Sequence, residues 1–414
     1  MNAMRMAVIG YGQRGEQITK EILLNMSDVQ VVAVCDEYED RTEKAMNDVE
    51  AKYGGNRPFG SCNYMDILNH EGIDAVYVAT SWETHVEVAI DALLKGIPVA
   101  LEVGGAYSLE SLWNLVHTQE RTGTPLMFME NCCFDREELL ATALARNGKF
   151  GEIVHCHGAY GHYLAGEVAG GNKNRHYRLR NYLTRNGENY PTHELGPIAK
   201  LLDINRGNRL VSLVSVASKA AGMEDYVNRN AEKYPELVGK KFRQGDIVNT
   251  LITCADGTTI SMVLDTTVPR RFYSREFQVR GTHGMFDQDT NTVFVLGDKE
   301  RGSAKKYYEN NWGNGKSYHE KYLVREWKEM TEEQRKIGHG GMDAIEFRVF
   351  VDCLREGKPM PIDVYDAAAW MAVTALSEAS IAAGGQPQSI PDFTSGMWTR
   401  RERLDVLEIP MVEE

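Results

Sequence analysis

No stretch of about 18 consecutive apolar residues occurs in the sequence, the length a helix needs to cross a bilayer. Basic charge is also short: 46 Lys plus Arg stand against 59 Asp plus Glu, a net charge of −13. Such a balance repels a phosphate backbone and an anionic membrane surface alike, so neither nucleic acid nor membrane is expected as a partner. The seven cysteines (Cys35, Cys62, Cys132, Cys133, Cys156, Cys254 and Cys353) are odd in number and form no C-x-x-C pair. They read as reduced thiols rather than a disulfide framework or a zinc knuckle. There is no internal repeat, no low-complexity linker, and no charged segment running into a long apolar one at the start of the chain. A cytoplasmic protein is expected. No metal is expected either: THELG is not H-E-x-x-H, and His155 and His157 share a strand face but have no carboxylate at ligand spacing, with His162 close behind.

What remains is an ordinary globular composition, 414 residues of which 43% are hydrophobic, enough to fill two cores. The segment MRMAVIGYGQRGEQITKEILL reads as strand, glycine turn and helix, with Gly10, Gly12 and Gly15 in G-x-G-x-x-G spacing. A second strand ends at Asp36, about twenty residues beyond the last glycine, where a carboxylate can accept from a ribose hydroxyl. Glycines there allow a pyrophosphate to approach the free N–H groups of a helix N-terminus. Strands IDAVYVAT, IPVALEV and PLMFMEN then alternate with helical segments. The expected architecture is a doubly wound parallel sheet over residues 1–131, with its ligand at the strand ends near Ser81 to His85, Glu102, Val103 and Asn131.

From residue 132 to 414 the pattern changes to strand-like runs separated by DG and GTHG turns, which predict a second α/β domain with an open, largely antiparallel sheet. Lys299 to Met330 reads as an exposed insertion or lid. Two helices are expected near the end, Met342 to Glu356 and Asp363 to Ala383, the second capped by Asp363. ENYPTHELGPIAKLL places Tyr190 and His193 ahead of an apolar stripe. Because proline is tolerated only in a helix's first turn, Pro197 is expected to lie there, with Ile198, Leu201 and Leu202 beginning the regular apolar face. His193 then falls at or just before the helix entrance, with Tyr190 and His193 presented rather than packed.

GYGQRG (10–15), Asp36, WETH (82–85), Glu102-Val103, Asn131, YPTHELGPIAKLLDINRG (190–207), RRFYSR (270–275) and the HGGMDAIEFRVFVDCLREG and DVYDAAAW blocks together resemble the Gfo/Idh/MocA oxidoreductase family. More specifically the chain resembles glycoside hydrolase family 109, the NAD-dependent α-N-acetylgalactosaminidase group. The resemblance implies NAD as cofactor, contacted by Gln13, Arg14, Asp36, Trp82, Thr84, His85, Glu102, Val103 and Asn131 beside the three glycines. It implies a small-molecule carbohydrate substrate held by Tyr160, Arg178, Tyr190, His193 and Tyr273, with Tyr190 and His193 catalytic, and a homo-oligomer built on the open sheet face. Where sugar dehydrogenases of the wider family carry Glu-Lys-Pro this chain has Glu102-Val103-Gly104, and Asn189 and Glu194 stand where aspartate and glycine are usual. Lacking that lysine and aspartate, the chain is expected to cleave a glycoside by transient C3 oxidation; the alternative is a dehydrogenase that releases a keto-sugar.

Overall fold

The computed structural model describes residues 2–297 and 312–412. The chain forms two compact units, one of Met1–Phe134 with Glu329–Ala368, the other of Asp135–Lys328 with Ala369–Glu414. Among the described residues, the first unit holds the parallel strands β1 (Met4–Ile9), β2 (Val29–Cys35), β3 (Phe59–Ser61), β4 (Ala75–Val78), β5 (Val99–Glu102) and β6 (Leu126–Met129). Their order is β3-β2-β1-β4-β5-β6. Strands AVYV, VALE and LMFM are buried along their whole length, as a sheet covered on both faces requires. The order reverses beside β1, and the glycine turn lies there, between β1 and the helix Gln13–Glu21. The helix Met342–Glu356 joins this unit. Asp363 caps Val364–Ala382 as expected, its Oδ1 accepting from the Tyr365 N–H at 3.0 Å.

The second unit carries a mixed sheet of β7 (Ile153–Gly161), β8 (Leu210–Ala217), β9 (Ile247–Cys254), β10 (Thr259–Asp265), β11 (Gln278–Gly281), β12 (Gly284–Asp287), β13 (Thr292–Val295) and β14 (Gln388–Ser389). The order is β13-β12-β11-β7-β10-β9-β8-β14, and only β7 with β10 pair in parallel. The DG and GTHG turns close the β9–β10 and β11–β12 hairpins as predicted. Alternation along β9 buries Val248, Thr250, Ile252 and Cys254 on one face and exposes Asn249, Leu251 and Thr253 on the other. Helix Thr192–Leu201 packs on the sheet at β7, where Gly158 leaves room for it: a Cβ at Gly158 would lie 2.9 Å from the Cβ of Glu194.

Two expectations need correction. Residues 299–311 of the proposed lid lie outside the described residues, but Trp312 to Met330 forms short helical turns that bury Tyr322, Leu323, Val324 and Trp327, so this stretch is anchored rather than a solvated loop. The helix near Tyr190 begins at Thr192, five residues ahead of Pro197. Proline there lacks the N–H that would close on the His193 carbonyl, so the first turn carries one bond fewer. Burial of Leu195, Ile198, Ala199 and Leu201 offsets that loss.

Candidate active site

In the first unit, the glycine turn is shaped by close backbone contacts. Gly10 has φ +99°, and a Cβ there would lie 2.4 Å from the Ala79 carbonyl oxygen; a Cβ at Gly15 would lie 1.9 Å from the Gly10 carbonyl oxygen. At Gly12 the nearest atom to an added Cβ is Arg41 Nη1 at 3.8 Å, so this side of the turn is open. Tight at Gly10 and Gly15 and open at Gly12, with a helix starting at Gln13, the turn fits a pyrophosphate. Asp36 is buried and accepts from the N–H of Tyr11 at 2.7 Å and of Tyr38 at 3.1 Å. Burial raises its pKa, partly offset by those two N–H bonds and by Arg41, 3.9 Å away.

Around the β4 and β5 ends, His85 is fully buried and, among the described residues, no hydrogen bond of full geometry satisfies its ring nitrogens, although the Glu102 backbone acts on the ring. Thr80 Oγ1 is likewise buried without such a bond. Burial holds the His85 imidazole down at about 4, so it is neutral at pH 7. Buried polar atoms left short of full hydrogen bonds at strand ends fit a polar ligand. A Cβ on Gly104 would sit 2.4 Å from Trp82 Cδ1 and 2.7 Å from His85 Cε1, which is why no bulkier residue follows Val103 here. Thr84 lies directly before the helix His85–Leu94.

Glu102 and Asn131 enter a network that no local motif foretells. Arg14 Nε donates to Glu102 Oε1 at 2.8 Å, and its Nη atoms donate to Asp343 at 2.9 and 3.0 Å. Tyr77 donates its hydroxyl to the same Glu102 oxygen at 2.8 Å, and Asn131 Nδ2 donates to Asp343 Oδ1 at 2.8 Å. Although burial opposes it, the Arg14 and His339 charges hold the Asp343 carboxyl well below the usual carboxylate range. Close by, burial together with the Glu102 and Asp343 charges pushes the Glu346 carboxyl well above the usual carboxylate range. The Arg14 guanidinium is thus committed to carboxylates, and the backbone N–H groups of Gln13 and Arg14 are what the helix start offers to a ligand.

In the second unit the five proposed sugar contacts come together. The Tyr190 and His193 rings meet edge to face with centroids 4.7 Å apart, and Tyr160 lies 4.7 Å from Tyr190 and 5.6 Å from His193. Tyr273 is 6.3 Å from Tyr160 and, at 45% exposure, forms the open rim. Arg178 sits 5.1 Å over the Tyr190 ring and donates to Glu167 Oε1 at 2.6 Å. Tyr190 is 9% exposed, so it is packed into this cluster rather than presented, whereas His193 is half-buried. The sequence reading missed His162 as a member: its Nδ1 lies 3.0 Å from the Tyr160 hydroxyl and its ring 5.2 Å from Tyr273. An i, i+2 spacing from Tyr160 along an extended segment was the available signal. His155 and His157 instead bond Thr259 and Ser261 within the sheet. A packed phenol and imidazole beside a buried guanidinium and an aromatic rim can bind a sugar ring and exchange protons with its hydroxyls.

The parallel sheet, the glycine turn and the acid at the end of β2 define an NAD-binding oxidoreductase scaffold of the Gfo/Idh/MocA type, and residues 4–129 match the family described as Oxidoreductase family, NAD-binding Rossmann fold. Residues 134–400 match the family described as Glycosyl hydrolase 109, C-terminal domain. The chain therefore belongs to glycosyl hydrolase family 109 and is an NAD-dependent glycoside hydrolase of the Gfo/Idh/MocA type. It is 36% identical over 426 residues to a glycosyl hydrolase family 109 protein of Stenotrophomonas maltophilia, covering 97% of this chain and 91% of that one. It is 36% identical over 423 residues to an α-N-acetylgalactosaminidase of Tannerella forsythia, covering 96% and 88%. Among solved structures, apo scyllo-inositol dehydrogenase from Lactobacillus casei matches with TM-score 0.65 at 13% identity, covering 94% of this chain and 98% of that one. An oxidoreductase from Agrobacterium radiobacter in complex with NAD+, L-tartaric acid and magnesium matches with TM-score 0.63 at 16% identity, covering 94% and 98%. These two share the fold.

Proposed function

We propose that this enzyme cleaves an α-N-acetylgalactosaminide or a related N-acetylhexosaminide through a ketone at C3 of the sugar, and that the Tyr190–His193 pair moves the protons. The observation that carries the reading is that pair itself, a phenol and an imidazole 4.7 Å apart beside Arg178. The relative from Tannerella forsythia contributes the substrate class.

Bound NAD supplies reversible acceptance of a hydride from a sugar carbon. Gly10, Gly12 and Gly15, Asp36, Trp82, Thr84, His85, Glu102, Val103 and Asn131 would hold it. His193 takes the proton of the C3 hydroxyl as the hydride leaves C3. The ketone acidifies the C2 hydrogen, which Tyr190 removes as a phenolate, and the Arg178 charge over its ring attracts that anion. The electron pair left on C2 expels the glycosidic oxygen from C1. Water then adds its hydroxide at C1 while its other proton goes to the departed oxygen. Tyr190 delivers to C2 a proton that has exchanged with solvent, and the hydride returns to C3 as His193 gives its proton back to the C3 oxygen. Tyr160 and Tyr273 orient the ring through their faces and hydroxyls.

Turnover in D2O tests this directly, because C2 exchanges its hydrogen only if it is deprotonated. Product sugar is expected to carry deuterium at C2, with no net NADH. Hydrogen fully retained at C2 would point to direct displacement at C1, where charge develops without touching that bond. Accumulating NADH would identify a dehydrogenase that releases a keto-sugar.

The same reading includes self-association in the cytoplasm. One face of the second unit's sheet leaves Leu251 60% and Val216 53% exposed, with His155 and His157 half-buried beside them. Apolar side chains in such a row are commonly covered by a second copy. Light scattering at micromolar concentration should return a mass at least twice that of the chain, and a monomer would refute the assignment.

A further inference from the structure

The loop between β10 and β11 carries the RRFYSR stretch (270–275), of which the mechanism uses only Tyr273. Phe272, next to it, is 50% exposed, so two adjacent aromatic side chains stand open to water and make a patch rather than a scattered residue. The loop that bears them is held fast. Arg270, mostly buried, donates Nη1 to Asp265 Oδ2 at 2.8 Å and Nη2 to Glu276 Oε1 at 2.9 Å, one acid from each arm of the loop. Its Nε donates to the Phe272 carbonyl at 2.8 Å. Gly161 at the end of β7 makes room for that guanidinium, since a Cβ there would lie 2.1 Å from Arg270 Cζ. Gly161 and Ser274 exchange backbone hydrogen bonds at 3.0 and 3.1 Å, which ties the loop to the strand end between Tyr160 and His162.

Each of the two rings also has a guanidinium against it. Buried Arg275, bonded to Glu138 at 2.7 Å and paired with Asp135 at 3.1 Å, donates Nη1 to the Tyr273 hydroxyl at 3.3 Å. Exposed Arg271 places its Cζ 5.5 Å over the Phe272 ring. Inward, the Tyr273 ring lies 5.2 Å from His162 and 6.3 Å from Tyr160, so this patch continues the sugar-binding cluster outward. Tyr160 and Tyr190 are buried, and a glycon bound against them leaves one way out for whatever is joined through the scissile oxygen, past this rim.

We propose that Phe272 and Arg271, with the outer side of Tyr273, form an aglycone subsite for a second sugar, so that the natural leaving group is itself a sugar and the substrate is the end of an oligosaccharide. The proposal rests on the reading of Tyr160, Arg178, Tyr190 and His193 as the glycon site. A flat ring with one face in water matches the C–H face of a pyranose, and the N–H groups of a guanidinium stacked beside it donate to sugar hydroxyls. Because Arg270 fixes the loop before anything binds, little freedom is lost when the second sugar lands on it.

The test uses the full-length chain with NAD and two substrates: methyl α-N-acetylgalactosaminide, which carries no second sugar, and a disaccharide with the same sugar α-linked to galactose. In Phe272→Ala the ratio of kcat/KM for the disaccharide over the methyl glycoside should fall about tenfold, the worth of one stacked ring. The fall should lie mainly in KM of the disaccharide, since the second sugar is held alike in ground and transition state. Phe272→Trp, which keeps a flat ring, should restore the ratio; Phe272→Leu, which keeps apolar bulk without one, should not. An unchanged ratio in Phe272→Ala would overturn the subsite. So would a drop in mass by light scattering with equal losses on both substrates, which would show that the ring covers a second copy of the chain. Turnover followed both as released sugar and as NADH gives the ratio whether the enzyme hydrolyses or oxidises, whereas a wild type that turns over neither substrate would overturn the glycon reading and the subsite with it.

Discussion

Replacing His193 by alanine should lower turnover of an aryl N-acetylgalactosaminide by about 10²-fold or more, the usual worth of one positioned acid or base. Tyr190→Phe should do the same with less disturbance. Its ring would keep the edge-to-face contact with His193 and its place beneath Arg178, so the lost hydroxyl alone would account for the effect. Both variants should bind NAD as wild type does, because both residues belong to the second unit and the glycine turn to the first. Calorimetry with NAD alongside steady-state kinetics separates the two quantities. A His193→Ala enzyme with unchanged turnover would reduce this segment to a structural loop.

How far such a site can be read in advance depends on the range of the forces that build it. The glycine turn was legible because its constraints are local: Gly10 needs φ +99°, and Gly15 needs to lie against Gly10, five residues away. The hairpins were legible for the same reason. Strand β3 was not, since Phe59–Ser61 is three residues long with a glycine in the middle and takes its conformation from pairing with β2. The helix start at Thr192 was misread because a proline rule for isolated helices was applied where tertiary burial of the apolar face prevails. At the site, Tyr160, Arg178, Tyr190, His193 and Tyr273 were named through resemblance, and nothing in their spacing foretold that they would meet. His162 was weighed only as a metal ligand, because its contact with the Tyr160 hydroxyl exists only once the segment after β7 is folded.

The Arg14 network shows the same limit and carries the largest expected effect on stability. Arg14 lies in the glycine turn and Asp343 is 329 residues away, so their pairing exists only in the folded unit. Asp343 is fully buried and Glu102 nearly so, and one guanidinium serves both. Arg14→Ala would leave two carboxylates enclosed beside Glu346, a change that typically costs about 3–5 kcal/mol. The loss should be greatest at neutral pH. A carboxyl held below its usual range, as Asp343 is, contributes stability above the unfolded value of 3.8 and loses it as pH falls through the folded value. In the variant the Arg14 charge is gone and His339 alone still lowers Asp343, so Asp343 can take up a proton on milder acidification and escape part of the penalty. Urea denaturation should therefore give an Arg14→Ala midpoint far below wild type at pH 7, with the gap narrowing toward pH 4.5. A gap that stayed constant across that range would mean that the arginine acts by packing its stem and not by neutralising the acids around it.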